Sequence, residues 1–345
     1  MDNFWKNRNV LVTGGNGFIG GALSSELVEK GANVVVILRD WPRFGTLNLL
    51  SIERKVTITP GSVCDLDLVS RVLNEYHIDS VFHLAAQPIV STANASPLST
   101  LESNIRGSWI VLEACRMHSR IERIVVASSD KAYGEHKNLP YTEDMPLLGN
   151  SPYEASKACA DILSRCFSNT YDLPIAVTRC ANTYGGGDPN ISRVIPATIL
   201  KILKGEDPVI WNKGTAGRDF IYIKDAVKAY LLLGEALDRK DVRGKAFNFG
   251  SANLISIQEL IKLISSLMGK EDIKPVLMSN QDVIKEIDKQ FMSFEKAKKE
   301  LGWEPEWTIQ NGLKETIEWY KNHINDFNDS FSLNNNINLQ QSKLS

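Results

Sequence analysis

Short apolar runs alternate with amphipathic stretches through the first half of the chain. NVLVTG (9–14) is followed by GGALSSELVEKG (20–31) and then by NVVVIL (33–38). SVFHLA (80–85), STLESNIRGSWIVLEACRMH (99–118) and RIVVASS (123–129) repeat the rhythm. YEASKACADILSRCFSNTY (153–171) and PIAVTRC (174–180) close it. The apolar runs are strand-sized and the stretches between them carry a helical period, which predicts α/β architecture: a Rossmann-type, doubly wound parallel sheet covered on both faces. Beyond Thr183 the pattern loosens. YGGGDPN (184–190) reads as a loop, RVIPATILKILKG (193–205) as a helix, and DPVIWN (207–212) and RDFIYI (218–223) as short strands. KDAVKAYLLLGEAL (224–237), SIQELIKLISSLMG (256–269) and NGLKETIEWYKNH (311–323) are amphipathic helices. These features predict a sheet domain over 1–182 to which 219–250 returns, and a smaller C-terminal lobe from 183–218 and 251–325. The Asn-, Ser- and Gln-rich tail, 326–345, has no helical period and is predicted to be disordered. No internal repeat is visible.

Composition narrows the function classes. The 345 residues are 43% hydrophobic and 23% charged, with a net charge of -2. That balance gives no basic surface for nucleic acid or an anionic membrane. No apolar run approaches the roughly 18 residues that span a bilayer, and the N-terminus has no apolar signal region. The five cysteines (Cys64, Cys115, Cys159, Cys166 and Cys180) form no C-x-x-C. Four of them stand in apolar segments, which predicts reduced core thiols and a cytoplasmic location.

VTGGNGFIGG sets Gly14, Gly17 and Gly20 between a strand and a helix start. Glycine there permits a tight turn and close approach of a pyrophosphate to the open N–H groups of the helix, so Gly14, Gly17, Phe18, Ile19 and Gly20 are candidate dinucleotide contacts. The alternative is a tight turn with no ligand. Which dinucleotide depends on the end of the second strand, VVVILRD: Leu38 takes the usual acidic position, followed by Arg39 and Asp40. Arg39 suits a 2′-phosphate and leans the choice slightly to NADP, whereas Asp40 suits the ribose of NAD; either side chain is otherwise simply solvated. Asp65, at the end of GSVCD, is placed to accept from an adenine amino group or to cap a helix.

SPYEASKACAD puts Tyr153 and Lys157 four apart, on one helical face. A phenol titrates near 10, too high for a base at neutral pH, but an ammonium and an oxidised nicotinamide close by favour the phenolate. In ASSDKAYGE an acid, Asp130, and a base, Lys131, follow a β-run directly. They form either an exposed ion pair or a catalytic pair.

Taken together, TGGNGFIG, FHLAAQ, SSDKAYG, PYEASK and RDFIYIKDA resemble the extended short-chain dehydrogenase/reductase family, the NAD(P)-dependent epimerases and dehydratases of nucleotide sugars, over about residues 8 to 320. HLAAQPIV and RCANTYGGGDPNISRVIP are most similar to CDP-glucose 4,6-dehydratases, which also carry Asp-Lys where most sugar 4,6-dehydratases carry Asp-Glu. The late RDFIYIKDA and the LRDW strand end depart from that subgroup, the former being typical of epimerases. The resemblance implies an NAD(P)-binding Rossmann domain and a nucleotide-sugar lobe. It also implies a lyase that dehydrates a nucleotide-diphosphate sugar to its 4-keto-6-deoxy form, acting as a homodimer through 101–117 and the Tyr153 helix. On it Tyr153 takes the sugar 4-hydroxyl proton, Ser129 hydrogen-bonds that hydroxyl, and Lys157 holds the ribose and lowers the Tyr153 pKa. Lys131 takes the C5 proton, a task that requires a depressed pKa, and Asp130 protonates the leaving C6 hydroxyl.

Leu84, Ala85, Ala86, Gln87 and Asn104 line the nicotinamide side in the family. Gln87, Asn182 and Arg193 contact the nucleotide sugar, and Arg218 clamps the diphosphate, its alternative being a surface ion pair with Asp219. His83 is read as packed behind the cofactor. Tyr133, Gly134 and Glu135 shape the loop over the sugar, with Glu135 a reserve base. No metal ligand set is predicted. Two rivals stand beside this reading: a 4-epimerase, which needs Tyr153 and Ser129 but no acid–base pair, and a non-catalytic NAD(P)-binding regulator.

Overall fold

The computed structural model describes residues 4–40, 45–211, 214–273, 275–278 and 287–327. In chain order the strands are β1 (Asn9–Thr13), β2 (Asn33–Leu38), β3 (Thr57–Pro60), β4 (Ser80–His83), β5 (Arg123–Ala127) and β6 (Ile175–Cys180). After them come β7 (Asn182–Tyr184), β8 (Val209–Trp211), β9 (Gly217–Arg218), β10 (Phe220–Tyr222) and β11 (Ala246–Phe249). The last are β12 (Ile255–Ser256), β13 (Val276–Met278) and β14 (Lys289–Gln290). Seven of these form one parallel sheet in the order β11-β6-β5-β4-β1-β2-β3.

The central strands read as continuous apolar runs because both faces are covered. Val10, Val12, Val34, Val36 and Val125 face one core with Leu23, Leu27, Ala226 and Leu233 of helices Phe18–Glu29 and Ile223–Ala236. Leu11, Val35, Ile37, Ile124 and Val126 face the other, with Val69, Val72, Val111 and Leu112 of helices Leu66–Glu75 and Gly107–Arg116. Each of these Val, Leu and Ile side chains, fully buried, contributes about 1.5–3 kcal/mol. The chain passes from β1 through β2 to β3 on one side and returns to β4 on the other, so a crevice opens at the carboxyl ends of β1 and β4.

Residues 219–250 supply β10, helix Ile223–Ala236 and β11, the last of these extending the main sheet at its edge beside β6. Outside the seven-stranded sheet lie helices Val194–Leu203, Ile257–Leu267 and Ile309–Asn322 and the small pairings β12-β9-β14 and β13-β8. The single helix read over 99–118 is broken by a π turn, Glu102–Arg106, between Pro97–Leu101 and Gly107–Arg116. The predicted tail begins too early. Phe327 is 1% exposed and packs on Trp319 and Tyr320, so 326–327 belong to the fold, and 328–345 lie outside the described residues. The core-thiol reading holds for Cys115 and Cys180 only; Cys64 and Cys159 are half-buried and Cys166 is exposed. Among the described residues no helix is long and apolar enough to cross a membrane.

Candidate active site

A cleft of about 700 Å³ occupies the crevice and continues between the sheet and the C-terminal lobe. At its floor Gly14 adopts φ +72°, and a Cβ there would lie 2.8 Å from the Ala85 backbone nitrogen. A Cβ on Gly20 would lie 2.2 Å from the Gly14 carbonyl oxygen. Gly17 starts the helix with no side-chain cap, so the N–H groups of the first turn are left for a ligand, and Gly17, Phe18, Ile19 and Gly20 all line the cleft. This cradle fits a dinucleotide pyrophosphate. Arg39 and Asp40 line its far end and pair with each other at 2.7 Å, both mostly exposed. Asp65 is the N-cap of helix Leu66–Glu75, its Oδ1 accepting from the Leu68 N–H at 3.0 Å. The cleft wall there is Ser62, Val63 and Cys64, so the capping alternative is the one observed.

Leu84, Ala85, Ala86 and Gln87 form the opposite wall. Thr13 fixes its start: its carbonyl accepts the Leu84 N–H and its hydroxyl the Ala85 N–H. Behind it His83 bonds Thr13 through Nδ1 and Ser108 through Nε2, and burial, reinforced by Lys157, lowers its pKa to about 3. Asn104 does not line the cleft. The π turn buries its amide, which accepts from the Gln87 N–H at 2.7 Å and donates to the Gln87 carbonyl and the Ser156 hydroxyl. It positions the Gln87 wall against the Tyr153 helix.

Helix Pro152–Tyr171 begins in a capping box. Ser151 accepts the Glu154 N–H, the Glu154 carboxylate accepts the Ser151 N–H at 3.2 Å, and Pro152 opens the first turn. Tyr153 is thereby set at the cleft, one turn before Lys157. Ser128 ties the end of β5 to this helix by donating to the Lys157 carbonyl at 3.2 Å. Ser129 then caps the 3₁₀ turn Asp130–Tyr133, accepting the Lys131 N–H and donating to Asp130 Oδ1 at 2.9 Å. Asp130 is 2% exposed, lines the cleft, and its Oδ2 has no hydrogen-bond partner among the described residues. Lys131, half-buried on the same wall, donates from Nζ to Gln290 Oε1. The acid and base of ASSDKAYGE therefore both face the cleft, and the exposed ion-pair alternative fails.

The phenol of Tyr153 is pushed up to about 12 by burial and by the Asp130 carboxylate, while hydrogen bonding with Ser129 and the charge of Arg193 act the other way. Lys157 is brought down to about 8 by burial and donates to the Ala127 carbonyl at 2.8 Å.

On the sugar side, Asn182, Arg193 and Arg218 line the cleft. Asn182 donates to the Asp219 carbonyl at 3.0 Å, and Arg193 pairs with buried Asp188 at 3.0 Å. Arg218 is buried and donates to the Gly217 carbonyl, whereas Asp219 accepts from Ser251 and Met292; the surface-pair alternative for Arg218 fails. Tyr133 is wholly buried behind the loop, bonded to Asn248 and Arg179 and stacked on Tyr141. Gly134 ends the 3₁₀ turn at φ +68°, where a Cβ would strike the Leu148 carbonyl. Glu135 is exposed and does not line the cleft, which removes it as a reserve base. Among the described residues no cluster of metal-binding side chains occurs.

The sequence reading missed Gln290, Asp188, Asn16 and the buried Asp161–Arg179 pair. Asn16 stands inside the glycine motif and lines the cleft; Gln290 carries no local signal at all.

The family model described as GDP-mannose 4,6 dehydratase matches residues 11–316. A dTDP-glucose 4,6-dehydratase of Shigella flexneri is 31% identical over 346 residues, covering 92% of this chain and 93% of its own length. Among solved structures, a UDP-glucose 4-epimerase of Thermotoga maritima with UDP-glucose superposes with TM-score 0.82 at 29% identity, covering 92% of this chain and 99% of that one. A dTDP-glucose 4,6-dehydratase of Bacillus anthracis in complex with NAD gives TM-score 0.79 at 28% identity, with 91% and 97% covered.

Proposed function

Because the chain belongs to the GDP-mannose 4,6 dehydratase family of extended short-chain dehydrogenases/reductases, we propose that it is a nucleotide-diphosphate-sugar 4,6-dehydratase, a lyase. The observation that carries this reading is the unpartnered Oδ2 of buried Asp130 beside Lys131, in the same cleft as Tyr153. A buried carboxyl oxygen without a partner is costly to keep, and a substrate hydroxyl satisfies it.

Gly14, Gly17, Phe18, Ile19 and Gly20 would hold the dinucleotide, which would supply a hydride acceptor for sugar C4 and a hydride donor for C6. The chain's own residues manage the protons. Tyr153 removes the 4-hydroxyl proton while Ser129 holds that oxygen. A phenol held near 12 is protonated at neutral pH, so ionising it needs positive charge beside it, which Lys157 one turn along the helix and an oxidised nicotinamide would supply. The new 4-ketone acidifies the C5–H bond. Lys131 takes that proton, the C5 electrons form the C5–C6 double bond, and the C6 oxygen departs as water with the proton of Asp130. When hydride is returned to C6 the double-bond electrons go back to C5, which takes a proton from the Lys131 ammonium, and the proton that Tyr153 removed balances the one Asp130 gave. Arg218 and Arg193 hold the diphosphate by charge-assisted hydrogen bonds.

We take the cofactor to be NAD. Asp40 neutralises Arg39 at the strand end and offers the ribose an acceptor; the lean to NADP drawn from Arg39 finds no support in the NAD-bound relative. CDP-glucose is the first substrate to try, on the likeness of 83–90 and 179–196, against dTDP-glucose, the substrate named for the relatives. Exposed Trp109, Met117, Ile162 and Tyr171 on adjoining helices support a homodimer, read out as the molar mass in solution.

A 4-epimerase is the second reading, favoured by the TM-score of 0.82 to an epimerase. Mass spectrometry of reactions with CDP-glucose, dTDP-glucose, UDP-GlcNAc and GDP-mannose separates the two: loss of one water supports dehydration, and an isomer of unchanged mass contradicts it.

A further inference from the structure

Gln290 reaches the reaction centre from 159 residues beyond Lys131. It ends the two-residue strand β14, which pairs with β9 so that Gln290 lies opposite Arg218, and its carbonyl accepts the Asp219 N–H at 3.0 Å. The side chain is 0% exposed. Its Oε1 accepts from Lys131 Nζ, its Nε2 has no hydrogen-bond partner among the described residues, and the carboxamide lies beside the Tyr141 phenol. An aliphatic side chain would be cheaper to bury there, since half of the carboxamide is left unsatisfied. A carboxylate at this place would add an ion pair that favours the ammonium form of Lys131; the carboxamide is neutral at every pH and adds none.

We propose that Gln290 is the positioning residue of the dehydration step. By accepting one N–H of the Lys131 amine it fixes the direction of the nitrogen lone pair toward the sugar C5 proton. Because β14 is laced to β9, the same strand sets the base relative to the Arg218 diphosphate clamp. This rests on the dehydratase reading, and the experiment keeps the two apart.

Wild type, Gln290→Met and Gln290→Asn are each loaded with NAD and mixed with the accepted nucleotide sugar in deuterated water. Reduced nicotinamide is followed by near-ultraviolet absorbance and C5 deuterium by mass spectrometry. If the wild type releases no water, the dehydratase reading itself falls. With an active wild type, the positioning role requires that Gln290→Met keep its C4 oxidation rate, accumulate reduced nicotinamide and lose about 10- to 100-fold in C5 exchange, the scale of a misplaced catalytic group. Gln290→Asn, whose carboxamide sits one methylene back, shows the same pattern at smaller amplitude, and reports alone if the Met variant does not fold. Equal slowing of oxidation and exchange marks a merely structural residue and overturns the proposal, as does an unchanged exchange rate.

Discussion

Replacing His83 by glutamine isolates a single buried titration beneath the cleft. His83 is 2% exposed, and burial first, then Lys157, depresses its pKa from 6.5 to about 3. The folded protein therefore refuses a proton that the unfolded chain accepts below pH 6.5, and stability falls as pH falls from neutrality toward 3. Between about pH 7.5 and pH 5 the unfolded histidine takes up nearly a full proton while the folded one stays neutral, which integrates to about 2 kcal/mol. That figure depends little on the folded value, provided it stays well below 5. Asp219 works in the opposite sense: burial raises its carboxyl to about 6, so its protonation stabilises the fold as pH falls. Asp219 is common to both proteins and cancels in the comparison. Urea unfolding at the two pH values is the assay, and the wild type is expected to lose about 2 kcal/mol more than His83→Gln. Equal losses would show that His83 is protonated in the fold, and with it would go the reading of His83 as a neutral bracket between Thr13 and Ser108.

Lys131→Ala is expected to abolish solvent deuterium entry at C5 and cut turnover by about 10²- to 10⁴-fold, with nucleotide-sugar affinity largely kept; isothermal titration and product mass spectra check both. Gly20→Ala drives a methyl into the Gly14 carbonyl, 2.2 Å away, and should abolish NAD retention on gel filtration. Asp161→Ala strands the Arg179 guanidinium, which Asp161 holds through two bonds of 2.8 and 3.0 Å in a site excluding water. Breaking such a pair costs about 3–5 kcal/mol in urea unfolding, and a loss below 1 kcal/mol would contradict the role given to it.

Local chemistry was legible and long-range assembly was not. The glycine turn and the Tyr153–Lys157 spacing are written within a few neighbouring residues, and the parallel sheet follows from apolar runs that must be covered on both faces. Asp65 left two readings open because an N-cap and an adenine acceptor ask for the same carboxylate at the same strand end. Asn104 gives no hint that a π turn rotates its amide away from the cleft toward Gln87 and Ser156. Gln290 is invisible for a different reason: a two-residue strand has no periodicity, and its partner lies in another lobe. The direction of the Tyr153 shift also needs three dimensions, because Asp130, 23 positions earlier, opposes the phenolate that the spacing to Lys157 alone suggests.

The most direct test of the account follows one labelled hydrogen. A nucleotide-diphosphate glucose deuterated at C4 is turned over by the NAD-loaded enzyme, and the product is examined by NMR. The account predicts that the deuterium appears in the new C6 methyl group, beside a C4 ketone. Deuterium still on C4, in either configuration, would contradict it.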